Sequence, residues 1–335
     1  MPAATGAHTE LWYKWELDAS DNPDFGAGDG TEDVNRKPFG GNANTTALEI
    51  SNNPLDVFEP NSREMAEIVA QHFDGSITID FEITNPWWLQ GVIAQATSED
   101  NADGTYTHTF DGDVPLPMAI YAGYDEQATD GGTMYRIFEG VVNQTATVTT
   151  TVEGAAEISF AAIFANEETD ETALEGQPTL DESVMMFQHA TLQSEGSAIS
   201  LVQDASVEIN NNTDIIRELG TRLGVDYSPK GRIPSVDFTK IRENNDEVES
   251  FYGSEAASAV QETVTDQDED LVYVLDNGES AGDGMNQMEI AMGGNFPESV
   301  STENLGNPQE DLQQAIGRRL RTVTASATNE VEEAL

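Results

Sequence analysis

The sequence predicts a mainly β chain with one helix flanking its strands and a long polar arm at the N-terminus. Three observations carry this. Segments with alternating polar and apolar residues recur from GSITIDFEI to LRTVTASA, and a period of two is a strand period. Val, Ile, Thr, Phe and Tyr, which suit a pleated surface, fill those segments. One segment, Asn61–Phe73, has a helical spacing instead.

Residues 1–60 are rich in Gly, Asn and Asp. They read as an arm or loop that ends near the short strand-like ALEIS. So long a loop is uncommon inside a compact domain, so the arm is expected to be mobile or ordered by a neighbouring subunit. In NSREMAEIVAQHF, Met65, Ile68, Val69 and His72 form one apolar stripe, with Asn61 or Ser62 as the N-cap. The strands GSITIDFEI, GTYTHTF, PLPMAIYAGY and YRIFEGVV follow, with the apolar NPWWLQGVIAQA among them.

The stretch VVNQTATVTTTVEGAAEISFAAIF, Val141–Phe164, reads as a hairpin turning at Glu153-Gly154. Val148, Val152, Ile158, Phe160 and Phe164 are expected to face the subunit's own core. Thr145, Thr147, Thr149, Thr151, Glu157 and Ser159 form the other side. A solvent face in so acidic a chain should carry more carboxylates. This face is therefore expected to look at an interface or an enclosed space, the alternative being a half-exposed surface hairpin.

Residues 61–166 make a first β-rich half and the acidic 167–182 a linker. Residues 183–335 make a second half, with strands in VMMFQHATLQS, AISLVQDASVEIN, RIPSVDFTKI, DLVYVLD, NQMEIAM and LRTVTASA. Short helices are expected at TDIIRELG, from about Glu247 to Val264, and near PQEDLQQAIG. A weak duplication pairs Tyr135–Thr145 with Met185–Ser194, each followed by an alternating hairpin, which allows two tandem halves.

The charge narrows the function classes. The chain has 62 acidic and 14 basic residues, a net charge of −48. Such a surface argues against neutralising nucleic-acid phosphates and against an anionic membrane partner. Four Trp, thirteen Phe and the alternating strands argue against an acidic disordered chain. Adaptation to molar salt fits. Self-repulsion opposes a compact state in dilute buffer, and at about 1 M salt the screening length falls to roughly 3 Å.

With no Cys there is no disulfide, thiolate metal site or thiol nucleophile. The start, MPAATGAHTELWYKWELD, lacks the basic and apolar regions of a secretory signal. No apolar run approaches the ~20 residues of a membrane-spanning helix.

Signals for catalysis are scarce. His8, His72, His108 and His189 form no HExxH pair, and the last three suit core or edge positions. There is no nucleophile elbow or phosphate-binding P-loop. The acidic stretches Asp21–Asp33 and Thr265–Asp270 depart from the Ca²⁺-loop pattern, Leu271 standing where the second would need Gly. They read as solvated loops, and no metal or cofactor is expected. Sequons begin at Asn44, Asn143 and Asn211. Trp87-Trp88, the one pair that could serve as a sugar platform, suits a core or interface better.

The bases gather in two places, Arg217, Arg222, Lys230, Arg232, Lys240 and Arg242, then Arg318, Arg319 and Arg321. They read as docking points for acidic surfaces of a neighbouring copy or as neutralisation within one subunit.

The order of elements resembles the major tail tube proteins of tailed viruses. The carrying residues are the Tyr106–Phe110 strand YTHTF, the Tyr135–Asn143 strand, the Val-Glu-Gly hairpin returning as AEISFAAIFANEE, and DASVEINNNTD leading to ELGTR. The resemblance covers roughly residues 45–330. It implies a β-sandwich or barrel-like subunit with one flanking helix. It further implies a homo-oligomeric ring, three copies of a duplicated chain or six of a single one. Rings would stack into a tube in a virion tail, beside other tail proteins, with DNA passing through without specific binding. The subunit would be made in the host cytoplasm. The polar arm would suit contacts between stacked rings. A virion decoration or receptor-binding adhesin module and a halophilic β-fold hydrolase remain the other readings.

Overall fold

In the computed structural model, residues 8–18, 20–26, 36–59, 65–124, 134–152, 154–170, 183–254, 257–264, 270–278, 287–305 and 311–330 are described. The first elements are β1 (His8–Trp15), β2 (Lys37–Pro38), β3 (Gly41–Ser51), β4 (Pro54–Phe58), β5 (Met65–Ala70) and β6 (Asp74–Glu82). Helix α1 (Trp88–Val92) leads to β7 (Thr97–Asp100), β8 (Tyr106–Phe110), β9 (Met118–Tyr124), β10 (Met134–Thr151), β11 (Glu157–Phe164) and β12 (Asn166–Asp170). A 3-10 turn, Phe187–His189, precedes β13 (Thr191–Ser194), β14 (Ser197–Ala198), β15 (Val202–Asn210), β16 (Asp214–Ile216), β17 (Asp226–Ser228) and β18 (Ile233–Ile241). Helix α2 (Asp246–Tyr252) is followed by β19 (Leu271–Asp276), β20 (Gln287–Gly293), β21 (Phe296–Glu303), β22 (Gln313–Arg319) and β23 (Thr322–Asn329).

The fold is mainly β. Long β10 changes partners along its length. Its first part pairs with β9 and β12, and its last part with β11 and β15. From that last part an antiparallel sheet runs both ways, in the order β3-β6-β11-β10-β15-β18-β22-β21. A second sheet, β14-β13-β19-β20-β23-β8-β7, lies in the other layer. One apolar core joins the layers, with Ile77, Ile79, Phe81, Val148, Ile158, Phe160, Val207 and Phe238 from the first and Tyr273, Leu275, Met288 and Ile290 from the second. These are the alternate positions of their strands, so the period of two places the core.

The first sheet contains a repeat. Its first four strands in chain order, β3, β6, β10 and β11, lie in space as first, second, fourth, third. The next four, β15, β18, β21 and β22, lie in the same order. The expected duplication paired other segments. Tyr135–Thr145 belongs to β10, whereas Met185–Ser194 runs into β13 of the second sheet. The counterpart of β10 is β21.

Several expectations give way. Residues 65–70 form β5, paired with β4, and not the flanking helix; Asn61–Arg63 and Glu64, with the expected N-cap, lie outside the described residues. Among the described residues the α-helices are α1 and α2, and α2 falls at the start of the helix expected from about Glu247. Asp214–Ile216, expected helical, is β16, and the helix expected near residue 312 is β22. The arm is not all loop: Leu11, Tyr13 and Trp15 of β1 sit in the core, and Phe39 packs on Tyr13 with ring centroids 4.8 Å apart. Of the linker, 167–170 lie in β12 and 171–182 lie outside the described residues.

Gly75 shows how closely β6 and β11 approach. A methyl there would meet the Phe164 ring at 2.2 Å. Gly75→Ala is expected to cost about 1–3 kcal/mol of stability by overpacking, read as a lowered denaturation midpoint at unchanged slope.

Candidate functional site

The first sheet buries one face and leaves the other broad and polar. Residues directly opposite on paired strands share a face, so the register defines its rows. One row runs Asp80, Ser159, Thr147, Glu208, Ser235, Arg319 across β6, β11, β10, β15, β18 and β22. The next runs Glu82, Glu157, Thr149, Ser206, Asp237, Gly317, Ser299. A third holds Thr78, Ala161, Thr145 and Asn210. Thr151 lies opposite Asp204, which lies opposite Thr239.

Thr145, Thr147, Thr149, Thr151, Glu157 and Ser159 are thus gathered on one face that continues over both repeats. Val148, Ile158, Phe160 and Phe164 point to the core. Val152 does not: it is 42% exposed beyond the end of β10. Sequence reasoning missed Asp80, Glu82, Ser206, Glu208 and Asp237. Their strands alternate as plainly, but only the register shows that the rows line up.

The face is acidic and small. Arg319 is the one base in these rows and is paired to Glu298 at 3.4 Å. Partial burial, with Glu298 adding to it, lifts the Asp237 carboxyl above its ordinary value. This surface offers carboxylates and hydroxyls to whatever lies over it.

The basic clusters divide. Arg318 and Lys240 come from β22 and β18 on the core side and both meet Glu247 of α2, Lys240 at 2.8 Å. Arg318 also donates to the Ser250 hydroxyl at 3.2 Å. Burial alone would raise the Glu247 carboxyl. The Lys240 and Arg318 cations outweigh it and hold the group below its ordinary value. Arg232 donates to the Ile93 carbonyl at 2.7 Å, the Asn211 side chain at 3.0 Å and the Gly112 carbonyl at 3.2 Å. Arg232 and Arg318 are therefore taken up inside the subunit. Arg217 pairs with Asp74 and Lys230 with Asp214. Arg222 donates to the Gln71 carbonyl and to Asn52. Arg242 is half-buried, and Arg319 and Arg321 are exposed.

The remaining candidates are structural. His108 is buried, with Ser98 at 2.7 Å and Asn329 at 3.0 Å on its two nitrogens. His72 lies 3.1 Å from Asp74, and His189 sits in the 3-10 turn. Trp87 and Trp88 are core residues. The sequon residues Asn143 and Asn211 are buried amides, bonded to the Ala161 and Val92 carbonyls. Most of Asp21–Asp33 and residues 265–269 lie outside the described residues. Among the described residues no group of three His, Asp or Glu side chains could hold a metal ion, and no helix is long and apolar enough to cross a membrane.

A family model described as phage tail tube protein matches residues 6–310. No curated protein matches the chain.

Proposed function

The chain belongs to the phage tail tube protein family, a structural component of the virion tail that assembles with other tail proteins into a multi-subunit tube, and from that premise we propose that three copies close each ring. The repeat in the first sheet supports this. Each four-strand set is one tube-like half, and β10 of the first half pairs with β15 of the second. The equivalent free edges are β21 at one end of the sheet and β3 at the other. Pairing β21 of one copy with β3 of the next reproduces the internal junction and leaves no exposed edge.

The size agrees. Strands about 4.8 Å apart and tilted by about 40° close, at 24 strands, into a barrel of roughly 24 Å radius. Inward side chains of about 5 Å would leave a bore near 40 Å. Groove depths of about 8.5 and 7.5 Å make a DNA duplex on the order of 20 Å across, which passes with water around it. Six copies of this chain would give a bore twice too wide.

The polar face carrying Thr145, Thr147, Thr149, Thr151, Glu157 and Ser159 lines that bore. Its carboxylates repel phosphates and its hydroxyls hold none strongly, so the genome slides through during delivery. Arg319 and Arg321, both exposed, are the bases offered to acidic surfaces of neighbouring copies. The net charge of −48 supports a halophilic archaeal host, and the virus is siphovirus-like, its subunit made in the host cytoplasm.

Purified chain in molar salt is expected to give threefold rings and tubes by negative-stain microscopy. Their ring mass should be three times the 36.3 kDa chain. Sixfold rings would overturn the stoichiometry. A stable monomer at every concentration would overturn the function.

A further inference from the structure

We propose that the cavity around Lys240, Glu247 and Arg318 is a binding site for a small monovalent anion, chloride in a molar-salt medium. The site belongs to the second half of the repeat and does not depend on ring closure.

The repeat shows what the fold itself needs there. Its two halves match at the corner that ends the first strand of each. Asn53 and Asn212 are both left-handed, with φ of 43° and 47°. The Asn53 N–H donates to the Ser51 hydroxyl, and the Asn212 N–H to the Asn210 side chain. The Asn53 amide donates to the His72 carbonyl, and the Asn212 amide to the Gly231 carbonyl. The same spacing sets Lys240 at the place of Phe81. Register across the strands does the rest. Phe81 lies opposite Ile158 and Ile77 opposite Ala162, whereas Lys240 lies opposite Gln314 and Val236 opposite Arg318. Phe81, Ile158 and Ala162, all buried, therefore hold in the first half the places of Lys240, Gln314 and Arg318 in the second. A buried ion cluster is often no more stable than apolar residues in its place, and the first half shows that apolar residues fit. The exchange calls for a use other than folding.

The charges point to an anion. Lys240 and Arg318 are buried and share one carboxylate, Glu247. One positive charge is left over, and an uncompensated buried charge is unfavourable. An ammonium has three N–H groups, and Lys240 uses one of them on Glu247. The three side chains line a cavity of about 480 Å³ between the layers. Asn295 lines it too, 2% exposed, and its amide oxygen has no partner among the described residues. An amide with nothing to fix its direction can turn its N–H groups to the cavity. Gln314, opposite Lys240, buries an amide nitrogen that also has no partner among the described residues. Donors without acceptors beside a surplus cation suit an anion. Glu243 and Asp246, on the same cavity, are exposed and bonded to Ser200 and Asn244.

Salt decides when the site fills. A chain of net charge −48 repels anions at long range. At about 1 M salt that field reaches only roughly 3 Å, so the local cations prevail. An anion held by the folded chain alone raises the folded-to-unfolded ratio, about tenfold at ten times its Kd. Part of the chain's stability in salt is therefore specific binding and not screening.

Chloride itself is the probe. In molar sodium chloride the purified chain is expected to broaden the chloride-35 resonance, and added bromide to reverse the broadening. Lys240→Met with Glu247→Leu and Arg318→Met removes the charges of the cluster and should lose the broadening. Asn295→Asp supplies a fixed negative charge from the cavity wall and should lose it too, which keeps the test open if the triple variant does not fold. Replacing chloride by the bulkier gluconate at constant sodium should lower the wild-type folded-to-unfolded ratio about tenfold more than that of Asn295→Asp. The effect of the exchange on the rest of the surface is common to both and cancels. Undiminished broadening by Asn295→Asp, or an equal response of both proteins to the exchange, would overturn the site. Neither readout needs a ring, so the tube reading stands or falls separately.

Discussion

Glu247→Leu is expected to destabilise the folded subunit by about 3–5 kcal/mol, the cost of leaving buried cations without their partner. Lys240 and Arg318 both lean on this one carboxylate, and all three side chains are nearly buried. Molar salt screens so enclosed a cluster little, so the loss should persist in the medium that suits the rest of the surface. Replacing all three together, Lys240→Met, Glu247→Leu and Arg318→Met, should come close to wild type, because no charge is then stranded. Denaturant midpoints of the two variants make the comparison; equal losses would show that the cluster is not coupled. The pH dependence follows from the lowered Glu247 value. The unfolded chain titrates near pH 4.3. The cluster's contribution is complete above that value and is lost as pH falls through the lower, folded one. Wild type should therefore lose stability on acidification through this range more steeply than Glu247→Leu.

Lysines at Thr145, Thr147 and Thr149 are expected to make the proposed conduit retain DNA. Each position lies on the polar face and is partly exposed, so rings should still form. Affinity of such tubes for duplex DNA should fall with salt at a slope of about −0.9 per phosphate neutralised, and exceed that of wild-type tubes at least ~100-fold at low salt. Tubes fixed by chemical cross-linking allow filter binding across a salt series. If the lysine tubes ignore DNA as wild type does, the Thr face does not line the bore.

Strand content was legible wherever one face was cleanly apolar. Ile77, Ile79 and Phe81 announce β6, and Val148, Ile158 and Phe160 announce the β10–β11 hairpin, because a period of two has no helical counterpart at that length. Met65, Ile68 and Val69 fit a helical stripe equally well, and in six residues the two patterns cannot be separated. The pairing with β4 that decides the matter is tertiary. The aromatic run Leu11–Trp15 did carry a strand signal, masked by the Gly- and Asp-rich loop after it. The candidate face was visible in outline through six polar positions of one hairpin. Its extent was not, since register between strands far apart in sequence leaves no local trace. Arg318 and Arg319 look alike in a string of letters, yet one is buried against Glu247 and the other faces outward. Which side of a strand each occupies depends on where the strand sits.

The free edges at β3 and β21 also bear on timing. In the proposed ring, a newly made subunit carries both halves of the junction, at the two ends of one sheet, from the moment it folds. Among the described residues β3 pairs only with β6 and β21 only with β22. A pool of such subunits would be poised to polymerise, and order would then depend on nucleation being rare. The start of a tail would have to come from a template that presents a ready-made edge or end, so that elongation outruns spontaneous initiation.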